Sequence, residues 1–150
     1  MQKKYIAITL LMFFFLVSCA TTPEKPEFPP FKIGDLILSK TIQKTNTSAT
    51  PINISNSFIS TDTMVVASVK LEGLTGIHEL RWEWYDPKGE HFLSSGNYAI
   101  HTSEGKYRRT TTAWHKLPIK GGRAMNLPGT WQVKLFFDGN LVTNIDFTIE

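Results

Sequence analysis

Four stretches of this 150-residue chain alternate apolar and polar side chains with a period of two, and that period excludes a helix. In residues 64–72, Val65, Ala67, Val69 and Leu71 alternate with Val66, Ser68, Lys70 and Glu72. Residues 79–85 set Leu80, Trp82 and Trp84 against Arg81, Glu83 and Tyr85. Residues 130–137 align Trp131, Val133, Leu135 and Phe137, and residues 141–149 align Leu141, Ile145, Phe147 and Ile149. Successive strand side chains point to opposite faces, so each stripe predicts one buried face. Weaker extended runs cover 33–40, 90–93, 97–102 and 106–117. Residues 41–60 are rich in Thr, Asn and Ser and contain Pro51, which suits a loop with one edge strand. Helical periodicity is missing after residue 18. Between the strands lie turn signals: Asp86-Pro87-Lys88-Gly89 suits a type I turn, Ser94-Ser95-Gly96 and Pro128-Gly129 reverse the chain, and residues 118–126 form a loop. About seven to nine short strands separated by such turns predict an all-β, antiparallel sandwich.

Burial constrains the last hairpin. A two-residue turn at Asp138-Gly139 sets Phe137 against Asn140 and Val133 against Asn144, polar against apolar. An odd loop such as Asp138-Gly139-Asn140 pairs Phe137 with Leu141, Val133 with Ile145 and Trp131 with Phe147. The expectation is therefore a three- or five-residue loop with Gly139 at positive φ.

The ending P-G-T-W-Q-V-K-L-F-F-D-G-N-L-V (residues 128–142), followed by F-T-I, resembles the last strands of immunoglobulin-like or fibronectin-III-like domains of bacterial envelope proteins. The strand and turn L-R-W-E-W-Y-D-P-K-G (residues 80–89) strengthen it. The resemblance implies a single immunoglobulin-like sandwich over residues 32–150. It carries no function, because such folds host many.

The N-terminus gives an address. Lys3 and Lys4 precede an apolar run from Ile6 to Val17, too short for a bilayer span, which needs roughly 20 apolar residues. Leu16-Val17-Ser18-Cys19 closes the run and resembles the lipobox of bacterial lipoproteins. That resemblance implies removal of residues 1–18, lipidation of Cys19 and a membrane held through that lipid. Ala20 rather than Asp after the Cys resembles lipoproteins passed to the outer membrane of Gram-negative cells, facing the periplasm or the surface. Residues 19–31 hold Pro23, Pro26, Pro29 and Pro30 and read as a Pro-rich tether, unless Phe28 and Phe31 dock and shorten it. Cleavage removes two lysines, so Lys plus Arg falls from 16 to 14 against 13 Asp plus Glu, and the net charge falls from +3 to +1. That balance gives no reason to expect nucleic acid as a partner. Cys19 is the single cysteine, so the domain folds without a disulfide.

Catalysis has little foothold. Ser57, Ser60, Ser94 and Ser95 stand outside any nucleophile-elbow context. Glu79 and Glu83 lie four apart on one strand face, about 13 Å at ~3.3 Å per residue, beyond the roughly 5–9.5 Å of glycosidase pairs. His78, His91, His101 and His115 are scattered without close-spaced metal ligands and read as surface or strand-edge residues. Lys106, Arg108 and Arg109 read as a solvated strand face, the alternative being a contact with anionic envelope polymers or lipid head groups. The expectation is a protein that is not an enzyme, with no metal and no cofactor.

The candidate binding face is the outward side of the Leu80, Trp131 and Leu141 strands, should they share a sheet. It carries Tyr85, Phe136 and Val142, with Arg81 and Lys134 among the polar residues around them. Phe136 paired with Val142 makes a patch for an envelope protein or glycan partner, unless residues 118–127 cover it. Two other readings stand beside it. One is an inhibitor of a secreted protease or lysozyme, acting through loops 118–127 or 41–57. The other is a small-ligand or carbohydrate binder with an aromatic-floored groove.

Overall fold

A computed structural model describes residues 28–46 and 48–150. Cys19, the signal segment and tether residues 19–27 lie outside the described residues. Among the described residues ten strands form: β1 (Lys32–Lys44), β2 (Ala49–Ile54), β3 (Ser57–Phe58), β4 (Met64–Leu74), β5 (Ile77–Tyr85), β6 (His91–Ser94), β7 (Tyr98–His101), β8 (Arg108–Pro118), β9 (Gly129–Phe137) and β10 (Asn140–Ile149). The count exceeds seven to nine because residues 41–60 give two strands, β2 and the two-residue β3, where one edge strand was expected. The four alternating stretches are β4, β5, β9 and β10.

One sheet runs β2-β1-β4-β8, and the other runs β3-β10-β9-β5-β6, with β7 also on β5. Consecutive β4 and β5 lie in opposite sheets, as do β8 and β9. Strands β4 and β8 thus stand where B and E stand in an immunoglobulin-like sandwich, and β5, β9 and β10 where C, F and G stand. Trp82, Trp84, Trp131, Phe58 and Phe147 fill the space between the sheets and are fully buried. The ring of Phe147 meets Trp84 and Phe58 edge to face, at 5.9 and 5.8 Å between centroids. Burying each such side chain is worth about 1.5–3 kcal/mol.

The final hairpin differs from expectation. Asp138 and Gly139 form a two-residue turn with φ of 49° and 79°, and Phe137 faces Asn140. Positive φ at both positions matches the twist of the flanking strands, which favours Asp-Gly there. Parity is restored inside β10 instead. Leu141 faces Phe136 and Thr143 faces Leu135, so Val142 is an extra, bulged residue. Beyond it Ile145 faces Val133 and Phe147 faces Trp131, as burial required. The bulge puts Leu141 on the outer face with Phe136, not on the inward stripe.

A second departure lies on β4. Val66 and Ser68 point away from the main core yet are buried. Strand β1 runs past its pairing with β4 and turns into β2, which comes close to β8. The Lys44 ammonium lies 4.2 Å from the Trp114 ring centroid, so this hairpin folds across the outer face and covers Val66. Residues 28–31 also lie on the domain. The ring of Phe28 meets Tyr107 at 5.1 Å, and that of Phe31 stacks on Phe137 and His78 at 5.0 and 5.5 Å. The docked end of the tether read from the sequence is thus part of the folded unit.

Candidate binding face

Strands β5, β9 and β10 place the expected residues on one outward surface. Arg81 sits opposite Phe136, Glu83 opposite Lys134 and Tyr85 opposite Gln132. On the other side of β9, Leu141 is opposite Phe136 and Asp146 opposite Gln132. The sequence reading therefore had the right sheet but the wrong partner for Phe136, which is Leu141 rather than Val142. Val142 is the bulged residue beside them.

The face is tied together by its own charges. The Arg81 guanidinium lies over the Phe136 ring at 4.2 Å and is paired with the Glu83 carboxylate. Glu83 also accepts a hydrogen bond from the Tyr85 hydroxyl at 2.8 Å. The Lys134 ammonium sits 4.2 Å from the Tyr85 ring centroid. Gln132 Nε2 donates to Asp146 Oδ1 at 2.8 Å. Each aromatic ring thus carries a cation, an arrangement worth about 0.5–1 kcal/mol at an exposed site. What stays open is the hairpin corner, where Leu141 is 54% and Val142 40% exposed. Residues 118–127 close one end of the sandwich, with Ile119 and Ala124 buried and the Leu127 carbonyl accepting from Trp131 Nε1 at 2.9 Å. Lys120 N–H donates to the Asp62 carbonyl at 3.1 Å, so this loop is sealed down rather than protruding.

Two histidines depart from the surface reading. His78 hydrogen-bonds Asp138 at 2.7 Å and the Thr75 carbonyl at 2.8 Å, with its ring 4.8 Å from that of Phe137. Partial burial disfavours the Asp138 carboxylate, but bonds from the His78 ring and the Glu79 N–H outweigh it and hold its pKa below the usual value. His115 points between the sheets from β8, and its Nδ1 accepts from Trp84 Nε1 at 2.9 Å. An indole N–H only donates, so Nδ1 carries no proton. Burial, and then the charge of Lys116, lower its pKa. The stripe Ala113, His115, Leu117 carries a sequence signal for this inward position, because both neighbours two residues away are apolar. Among the described residues, no three His, Cys, Asp or Glu side chains gather as a metal site.

A cleft of about 450 Å³ opens on the side of the sandwich where β7 faces β8. Tyr98, 58% exposed, and Trp114 stand on its walls. The sequence reading singled out none of these as a site, because nothing local reveals that two distant strand edges face each other.

No protein-family model matches the chain, and no curated protein matches it. Solved structures similar in fold include the alkylpurine DNA glycosylase AlkC of Pseudomonas fluorescens bound to DNA containing an abasic-site analogue. That match has 11% identity and a TM-score of 0.49, covering 80% of this chain but only 30% of the glycosylase chain. An immunoglobulin-like protein of Pseudomonas aeruginosa matches at 12% identity and a TM-score of 0.38, covering 85% of this chain and 99% of that one.

Proposed function

We propose that this chain is a lipid-anchored module of the bacterial cell envelope that binds or assembles with a protein partner through the outer face of β5, β9 and β10. The observation that carries the reading is the hairpin corner: Leu141 and Val142 lie open beside Phe136, within a surround of Arg81, Glu83, Lys134 and Asp146. An apolar centre within a polar, charged rim is the anatomy of a protein interface. The far end of the face borders a cleft of about 360 Å³ lined by Tyr85, Gln132, Lys134 and Asp146, whereas the apolar corner itself stands open, as a protein partner requires. The lipobox-like Leu16-Val17-Ser18-Cys19 supports anchoring through Cys19, with Ala20 favouring the outer membrane. The inhibitor reading loses support from a loop 118–127 that is packed against the sandwich end.

Two experiments test the proposal. Fatty-acid labelling in cells is expected to mark the wild type and not Cys19→Ala; equal label in both rejects the anchor. Cross-linking in intact cells is expected to capture a protein partner that Phe136→Glu and Leu141→Glu both lose. A partner set unchanged by either substitution rejects the face.

A further inference from the structure

We propose that the groove between β7 and β8 is an acceptor site for an extended, acidic polypeptide segment, which adds as a strand to the free edge of β8. The site is separate from the β5-β9-β10 face, and the inference stands without it.

Strand β8 is an edge strand of eleven residues, paired on one side with β4 and on the other with no strand among the described residues. An unpaired edge of that length presents a row of backbone donors and acceptors. In an immunoglobulin-like sandwich a further strand, D, lies beside E. Strand β8 takes the place of E, and among the described residues no strand takes the place of D: the chain enters β8 from β7, which pairs with β5 in the opposite sheet. The groove occupies that vacant position. Its walls are residues 98–101 of β7 and 111–116 of β8, each consecutive. Unbroken runs, including both inward and outward side chains, mean that the groove meets these strands edge on, where backbone groups are accessible.

The charge at the groove selects the occupant. Arg108 and Lys116 line it, and no carboxylate does. Strand β8 itself holds Arg108, Arg109 and Lys116 and no acidic residue. Pairing with a second copy of β8 would bring six cations together, whereas an acidic strand meets opposite charge. Main-chain hydrogen bonds supply affinity in this mode of recognition, and alternate side chains supply selectivity. Here the inward side chains of the added strand would meet Ala113 and Ile100, and its outward carboxylates Arg108 and Lys116.

The test uses the full chain in detergent micelles and a short blocked peptide alternating Glu and Val. The controls are its Lys–Val counterpart, the Glu–Val peptide with alternate amides N-methylated, and a heparin oligosaccharide. The Glu–Val peptide is expected to slow amide exchange along β7 and β8, and to bind about tenfold or more tighter than either peptide control. The double variant Arg108→Glu/Lys116→Glu, both residues exposed, is expected to lose about tenfold in affinity with an unchanged melting temperature. Equal binding of the N-methylated peptide overturns the strand pairing. Binding of heparin but not of the peptide makes the groove an anionic-glycan site and overturns the proposal. Protection of β8 that instead tracks self-association of the chain assigns the edge to a second copy and overturns it as well.

Discussion

At His115 two demands meet on one imidazole. Its Nδ1 must stay unprotonated to accept from Trp84, and its place between the sheets disfavours a charge. The depressed pKa fixes the sign of a pH effect. In the unfolded chain this histidine takes up its proton near pH 6.5; in the folded domain it does so only at lower pH. Its contribution to stability is complete above that unfolded value and is lost as the pH falls from it toward the folded one. The melting temperature is therefore expected to drop on acidification through this window. His115→Gln, whose side-chain carbonyl can still accept from Trp84, is expected to flatten that drop. A wild-type drop that His115→Gln leaves unchanged assigns it to another group. The residue scale is also where the sequence was most legible for the core. Trp82, Trp84, Trp131 and Phe147 fall on clear alternating stripes and are buried as read. Val66 and Ser68 were not legible, because the hairpin that covers them comes from residues 41–54, where alternation is too weak to announce a strand.

Among the elements, the β9–β10 hairpin separates what burial dictates from what a turn prefers. Burial required Val133 opposite Ile145 and Trp131 opposite Phe147, and both pairs form. Asp138-Gly139 prefers a two-residue turn, which by itself gives the opposite parity. The chain satisfies both by inserting Val142, and the sequence shows that one extra residue is needed without showing where it goes. Deleting Val142 then removes the bulge and keeps every pair beyond it. That variant is expected to fold, with a loss under about 2 kcal/mol by thermal or chemical melting. It is also expected to weaken cross-linking at the Leu141 corner. Deleting Gln132 instead shifts one side of β9 by a residue and turns half its apolar stripe outward, so it is expected to give no cooperative transition. Comparable melting of the two deletions would refute this account of the bulge. The candidate face was legible as far as its strands and its residues Arg81, Tyr85, Lys134 and Phe136. The exposed Leu141 was not, because its side of the sheet depends on the bulge.

Across the whole molecule, Gly73 joins the incoming chain to the sandwich. Its φ is +67°, and a Cβ built there would lie 2.7 Å from the Pro29 carbonyl oxygen and 2.8 Å from that of Pro30. The backbone of residues 29–30 thus crosses β4 where only glycine leaves room, and Phe31 stacks on Phe137 just beyond. Gly76 has a similar φ of +78° with nothing within 4 Å of such a Cβ, so it isolates the backbone effect. Gly76→Ala is expected to cost about 1 kcal/mol, and Gly73→Ala at least about 1 kcal/mol more, with faster amide exchange at Phe31. Equal losses in the two variants would mean that the crossing contributes nothing to the fold.

The sheet order β3-β10-β9-β5 also sets a timetable. Phe58, fully buried, belongs to a strand whose neighbour is Thr148–Ile149, about ninety residues later. Ribosomes add about 5–20 residues per second, so Phe58 waits roughly 5–18 s for the segment that completes its surroundings. Strands β4 and β5 likewise emerge with their apolar stripes before β8 and β9 exist to cover them. The sandwich therefore cannot close during synthesis of its first half, and until the last strands are made its aromatic stripe stays exposed to whatever chaperone is present.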